Sequence, residues 1–361
     1  MNYARFDIRN TNDDIRSFMN RILYIEDTRA VLYTDRLGSR YTIYEIRNTV
    51  FMYTLNSTKA YHVHQLNTLG WELTICNALH PAGTPLRKIL TRDDSFGHLL
   101  YDYLSKYVPM EKITRVIEIG GGYGYLMKDL LERNRAIRPV MLDVSPFLLQ
   151  KQKETLREYN VYYAEEDFLE TDPVFLTGFE LAVLNENLGD FPVLVDLDRD
   201  LFQPSSGIAD PLLRLVLHFF EKYDLERPEG VFNLNIGALQ ALEKLCTAGI
   251  PYIYMGEHSC EASAPETLRP FIHIESTGNP ERIALKGHDE YTIKFSYLEN
   301  IARAFNYRTI RGSFADFIPF HLTDELRYTL LDQDSTSDEA EMVSQFIDDL
   351  FRYEYMVIIR C

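Results

Sequence analysis

Glu118 stands near the end of a short β-branched run, Val116-Ile-Glu-Ile119, and Gly120, Gly122 and Gly124 follow it at every second position. Glycines let a chain turn tightly and approach a ligand with no Cβ in the way. A carboxylate beside such a turn suits a ligand with a positively charged end. Asp143 closes a second apolar run about 20 residues on, the distance at which an acid meets ribose hydroxyls in such folds. Asp167-Phe168 follows a third run, and Asn185-Glu186, with Asp190 close behind, follows a fourth. The elements that must position these residues are read from periodicity. Tyr125 to Glu132 is apolar at helical spacing, Arg138 to Val144 is a strand, and Gln150 to Tyr159 is helical. Val161 to Ala164 and Phe179 to Leu184 are the third and fourth strands. Strand, glycine turn and helix open a nucleotide-binding α/β unit, with each acid at a strand's carboxyl end, where open α/β sheets bind ligands.

The glycine spacing separates two ligands. A dinucleotide fingerprint needs G-x-G-x-x-G, and counting from Gly120 or Gly122 puts Tyr125 or Met127 at the third glycine. The pattern present, E-x-G-x-G-x-G, resembles that of class I S-adenosylmethionine (SAM) methyltransferases. That resemblance implies a Rossmann-like sheet, mostly parallel, with an antiparallel strand inserted near the C-terminus. It has the glycines form the cofactor loop, Glu118 support the methionine end, Asp143 hold ribose and Asp167 with Phe168 meet adenine. Each acid has a plainer role beside it. Asp143 could cap the helix opened by Ser145-Pro146, although Ser145 fills that role better. Asp167 could lie in a solvated acidic turn, and Glu186 could be a helix-start charge favoured by the dipole. Tyr123 and Tyr125 pack over the cofactor or belong to the core rim, and the residues leave both open.

Several segments in order resemble the MidA-like (DUF185) methyltransferases. They are Tyr123 to Leu131, Asp143-Val-Ser-Pro-Phe-Leu-Leu-Gln-Lys-Gln152, and Asn185-Glu186 through Phe191-Pro192-Val193. Thr91-Arg-Asp-Asp-Ser-Phe-Gly97 is similar to the family's T-x-x-x-S-x-x-F-G segment, shortened by two residues. Gly287-His-Asp-Glu-Tyr-Thr292-Ile-Lys-Phe295 is similar to its later G-x-x-D-x-T-x-x-V-x-F element, again compressed. The resemblance covers about residues 88 to 361 and implies protein arginine as acceptor, the activity associated with the family's mitochondrial branch. It differs at Gly121 and Tyr123, where the family has Pro and Arg. The family's N-E-x-x-D-A-x-P becomes Asn185-Glu-Asn-Leu-Gly-Asp190-Phe-Pro192, so the acid stands one position later. On an extended backbone that shift turns the Asp190 side chain away. Methyl transfer from a sulfonium is an in-line displacement, so alignment governs it. Carboxylates can orient a guanidinium bidentately and accept its charge, so Glu186, with Asp190, is expected to face the methyl acceptor, while Asn185 would contact either the methionine end of SAM or the acceptor.

A chain of 361 residues suggests at most two domains or one enlarged one. With 54 acidic against 37 basic residues, the net charge of −17 repels phosphate backbones and attracts basic acceptors. Nucleic acid is excluded as a substrate on that ground. No apolar run reaches bilayer length, the N-terminus lacks a signal-peptide core, and the expected compartment is the cytoplasm. Cys76, Cys246, Cys260 and Cys361 lack metal-ligand spacing, so they are read as reduced thiols with no metal.

Residues 1–88 are expected as an N-terminal accessory cap and residues 89–361 as the methyltransferase domain, with insertions at 194–212 and 257–290. The cap reads as a helix from Ile15 to Ile22 and a three-strand meander, Ala30 to Thr34, Tyr41 to Ile46 and Val50 to Leu55, the first two joined across Asp35 to Ser39. Trp71 is read as core, and His62 and His64 as structural residues on one strand face. Gly230 to Ile236 is expected as the fifth sheet strand, Ala238 to Cys246 as a helix, and Tyr353 to Ile359 as the inserted last strand. A small-molecule methyltransferase and a non-catalytic SAM-binding assembly factor stay open as alternatives, as does a homodimer.

Overall fold

The computed structural model describes residues 22–25, 28–34, 40–46, 49–68, 74–202, 210–331 and 337–361. The chain begins with an antiparallel meander: β1 (Ile22–Ile25), β2 (Thr28–Thr34), β3 (Arg40–Ile46) and β4 (Thr49–Asn56). Three short helices follow, α1 (Lys59–His64), α2 (Ile75–Ala78) and α3 (Pro85–Lys88), and then α4 (Phe96–Leu104). The alternating unit comes next: β5 (Arg115–Ile119), α5 (Tyr125–Arg133), β6 (Arg138–Asp143), α6 (Pro146–Thr155), β7 (Tyr162–Glu165) and β8 (Leu181–Asn185). Then come β9 (Val193–Asp198), α7 (Pro211–Lys222), β10 (Val231–Leu234), α8 (Ile236–Ala248) and β11 (Tyr252–His258). The small hairpin β12 (Arg282–Ala284) and β13 (Asp289–Tyr291) leads to α9 (Phe295–Ala304) and β14 (Tyr307–Ser313). Helices α10 (Asp324–Leu331) and α11 (Asp338–Arg352) precede β15 (Tyr353–Arg360).

The central sheet has seven strands in the order β14-β15-β11-β8-β5-β6-β7. The pairings β11–β8, β8–β5, β5–β6 and β6–β7 are parallel, while β15 runs antiparallel between β11 and β14. This is the expected Rossmann-like sheet, with the last strand inserted. Its central strands β5, β8 and β11 are buried on both faces, so their successive side chains enter two cores. Ile117, Ile119, Ala182 and Leu184 join α8 and α9 on one side. Val116, Leu181 and Val183 join α5 and α11 on the other.

The fifth strand corrects the sequence reading. Val231–Leu234 is not in this sheet; β10 pairs antiparallel with β9 and belongs to a six-stranded sheet of order β1-β2-β3-β4-β9-β10. The central position falls to β11, whose Ile253, Tyr254 and Met255 are fully buried. Val231 is 58% exposed, so that run alternates as an outer strand does. The second sheet spans the expected boundary near residue 88, because β4 pairs with β9 across Thr54–Val195, Leu55–Leu194 and Asn56–Val193. The meander strands are as expected. Of the expected helix from Ile15 to Ile22, residues 15–21 lie outside the described residues, as do Trp71 and the turn at 35–39, while Ile22 opens β1, a strand the sequence reading did not have.

Local signals set the helix ends. Ser145 Oγ accepts the Leu148 amide and Pro146 takes the first helical position, so α6 starts where the motif places it. Helix α8 ends on Gly249 in the left-handed conformation, as its Thr-Ala-Gly ending implies.

Candidate active site

Strand β5 delivers the chain into a turn in which Gly120, Gly122 and Gly124 all have positive φ, +64°, +51° and +82°. The every-second-position spacing is therefore a backbone requirement. At Gly120 there is a second reason, since a Cβ would lie 2.4 Å from Asn187 Nδ2. Asn187 donates to the Ile119 carbonyl and so ties the loop after β8 to the end of β5.

Glu118 is 2% exposed, and its Oε2 has no hydrogen-bond partner among the described residues. Burial pushes its carboxyl up to about 8, with Asp143 and Asp129 adding to the effect. Asp143, also buried, accepts the Ser145 amide at 2.9 Å and Gln152 Nε2 at 3.0 Å. Burial raises it to about 6 against those bonds. Gln152 Nε2 also reaches the Gly122 carbonyl at 3.1 Å, so one amide connects the second-strand acid to the glycine loop. Asp167 accepts the Leu169 amide at 2.9 Å and pairs with Lys59 at 2.8 Å, while Phe168 is buried against Phe191. Glu118, Asp143, Asp167 and Phe168, with Gly120 and Gly122, line one cavity of about 190 Å³ at the carboxyl ends of β5, β6, β7 and β8. The cavity suits SAM on two observations: the positive-φ glycine turn brings the backbone of Gly120 and Gly122 to its wall, and the buried Glu118 Oε2, unpaired among the described residues, would find a partner in a cationic ligand. Tyr125 also lines the cavity, stacked on His80 at 3.5 Å.

The far end of the cavity is built by Asn185, Glu186 and Asp190 together with residues from the N-terminal segment. Glu186 has φ +54°, left-handed and unusual for a side chain with a Cβ. That bend turns its carboxylate to the start of α2, where it accepts the amides of Ile75 and, at 3.1 Å, Cys76. Asn185 Nδ2 donates to the same carboxylate at 2.9 Å and Asn185 Oδ1 accepts Tyr254 Oη at 3.1 Å. Burial pushes Glu186 up to about 8, held back by the Cys76 and Ile75 amides. The helix-start role weighed for Glu186 is thus real, but the helix is α2, more than a hundred residues earlier.

Asp190 corrects the expected direction. Leu188–Asp190 forms a 3₁₀ turn rather than an extended run. The acid therefore reaches the cavity, with Oδ1 2.8 Å from His62 Nε2. Burial opposes charge on His62, yet Asp190 outweighs it and pushes the imidazole up to about 9. His62 and His64 lie on α1 rather than on a strand. The Thr58 hydroxyl donates to the Asp190 carbonyl at 2.8 Å and fixes that helix to the turn. His288 Nε2 lies 3.1 Å from Glu290 Oε1, and Tyr61 stacks on the His288 ring. Buried Glu257 accepts the Gly189 amide at 3.1 Å, and burial pushes it up to about 7.

His62, His288, Glu290 and Asn187 are therefore cavity residues that the sequence reading passed over. His288 and Glu290 lie inside the quoted Gly287–Phe295 segment, and Asn187 lies inside the Asn185–Pro192 motif, so both stretches held the signal. His62 had none beyond its residue type.

A mostly parallel sheet with an inserted antiparallel last strand, a three-glycine turn and an acid-lined cavity at the strand ends define the class I SAM-dependent methyltransferase fold. Residues 97–195 match the model of a family described as "Putative S-adenosyl-L-methionine-dependent methyltransferase". That segment, from the start of α4 into β9, is similar to this family, in keeping with the MidA-like resemblance of the same motifs. Among solved structures, an uncharacterized COG1565 superfamily protein from Burkholderia thailandensis is similar at 16% identity and a TM-score of 0.45, over 82% of this chain and 95% of that one. A COG1565 superfamily member from the same organism, bound to S-adenosyl-homocysteine, is similar at 15% identity and a TM-score of 0.45, over 77% of each chain. An O-methyltransferase family protein, also from that organism, is similar at 11% identity and a TM-score of 0.37, over 72% of this chain. The match spans about half of that last protein, 55% of its length. No curated protein matches the chain. No described helix is long and apolar enough to cross a membrane.

Proposed function

We propose that the protein transfers the methyl group of SAM to a cationic nitrogen acceptor, in particular a protein arginine. The supporting observation is the acidity of the cavity's far end, where Glu186, Asp190, Glu257 and Glu290 stand beside His62 and His288, and the cavity's Lys59 is paired with Asp167. The net charge of −17 favours approach of a basic partner in the same sense. In this reading Gly120, Gly122 and Gly124 cradle the cofactor, Glu118 holds its amino group, Asp143 its ribose, and Asp167 with Phe168 its adenine. SAM supplies a methyl group on a sulfonium. Asn185 and Glu186 fix the wall against which the acceptor nitrogen aligns. A methylated guanidinium stays cationic, so one proton must leave for each transfer. Glu257, raised to about 7, is partly ionised at neutral pH and can take up that proton, while Glu186, raised to about 8, already holds one there.

Residues 1–88 act in this reading as an accessory region over a methyltransferase domain of residues 89–361. All four cysteines are free thiols, which suits a cytoplasmic setting. The test is transfer of radiolabelled methyl from SAM into cell lysate, with the label then separated by mass. Label in basic proteins, recovered as methylarginine on hydrolysis, supports the reading. Label confined to the low-mass fraction contradicts it and favours a metabolite acceptor.

A further inference from the structure

We propose that His62, Asp190, His288 and Glu290 form a binding site for a first-row divalent cation of the Zn²⁺ or Mn²⁺ kind, clasping the N-terminal wall of the cavity to the sheet. Both imidazoles point Nε2 at one carboxylate oxygen: Asp190 Oδ1 is 2.8 Å from His62 Nε2 and 3.7 Å from His288 Nε2. Two His–carboxylate pairs, His62–Asp190 and His288–Glu290, thus meet at one point of the cavity. Glu290 Oε1 lies 3.1 Å from His288 Nε2, beside the group of His62, Asp190 and His288. The donor atoms of His62, Asp190 and His288 all lie within 4.8 Å of one another. An ion bound about 2.0–2.2 Å from each ligand sets adjacent donors about 3 to 3.5 Å apart, and the observed separations bracket that range.

Two imidazoles with two carboxylates suit Zn²⁺, Mn²⁺ or Fe²⁺ rather than the all-oxygen preference of Ca²⁺ and Mg²⁺. The side chains of His62, Asp190, His288 and Glu290 are 12, 24, 9 and 22% exposed, sheltered yet open to the cavity. Their orientation is supported from outside the cluster. Tyr61 stacks on His288 with ring centroids 4.2 Å apart, and the Thr58 hydroxyl holds the Asp190 carbonyl. The four residues come from α1, from the turn after β8 and from the β12–β13 hairpin, so one ion would join three segments of the chain. A dication with Asp190 and Glu290 ionised is neutral as a unit and adds no repulsion toward a cationic cofactor. The clasp goes beyond the acceptor reading and holds whichever acceptor is used.

The test is calorimetric titration of the full chain, stripped with a chelator, with MnCl₂ and separately with ZnCl₂. Mn²⁺ is included because it disregards the free thiols. We expect one equivalent of each ion and a raised Tm. His62→Gln and His288→Gln, each checked for native circular dichroism, should weaken binding at least about tenfold, while His258→Gln should not. A folded wild type that takes up neither ion overturns the proposal. So does an equivalent retained at full affinity in both glutamine variants, which would place the ion elsewhere. SAM titration of the same stripped sample reports the cofactor cavity separately.

Discussion

The Glu186 carboxylate, at the end of β8, holds the Cys76 amide 3.1 Å from its Oε2 and with it the first turn of α2. The bond joins the sheet to a helix 110 residues earlier and forms one wall of the cavity. Glu186 keeps a left-handed backbone to make it, a conformation that costs roughly 1–2 kcal/mol for a residue with a Cβ.

Removing that carboxylate should loosen the wall. Glu186→Ala leaves the Ile75 and Cys76 amides without an acceptor, and we expect a loss of about 1–3 kcal/mol in urea unfolding with an increased KM for SAM. Glu186→Gln, which keeps one acceptor oxygen, should lose less. An alanine variant with wild-type midpoint and KM would show that the contact positions nothing.

Cofactor binding should release a proton near neutral pH. Glu118 is raised to about 8, so it is protonated at pH 7 in the free protein, and a cationic ligand favours its ionised form. Affinity for SAM should therefore rise with pH up to about 8 and then level. Stability has the opposite slope. Between the unfolded carboxylate range and about 8 the native state holds a proton that the unfolded chain does not, so the contribution of Glu118 falls as pH rises. Calorimetry in buffers of differing ionisation enthalpy measures the release, and Glu118→Gln should abolish it and flatten the stability slope. An unchanged proton count in that variant would assign the release elsewhere.

Gly120→Ala should impair the cofactor site through Asn187, beyond any cost of backbone strain. Gly230 serves as the comparison: its φ is +68° but nothing lies within 4 Å of an added Cβ. Both alanine variants should lose about 1–2 kcal/mol from the left-handed backbone, and Gly120→Ala alone should lose SAM affinity. Equal SAM affinity in the two variants would remove Asn187 from the explanation.

The parallel core is legible in the sequence because its signals are local. Glycines at alternate positions mark the turn after β5, Ser145-Pro146 marks the start of α6, and apolar runs buried on both faces mark β5, β6 and β8. Pairing across long separations is not legible. Val231–Leu234 has strand composition, but nothing within it says that its partner is β9 or that β4 lies beyond. The same limit hid His62, whose meaning comes from Asp190, 128 residues later in the chain. Asp190 itself was misdirected by assuming an extended backbone where three residues form a 3₁₀ turn.

The central claim is that the glycine-loop cavity binds SAM, and calorimetric titration of the full chain with SAM tests it most directly. We expect one site per chain in the wild type, and loss of binding in folded Gly122→Val and Asp143→Ala. A folded wild type that gives no binding heat with SAM or S-adenosylhomocysteine at several temperatures would contradict it.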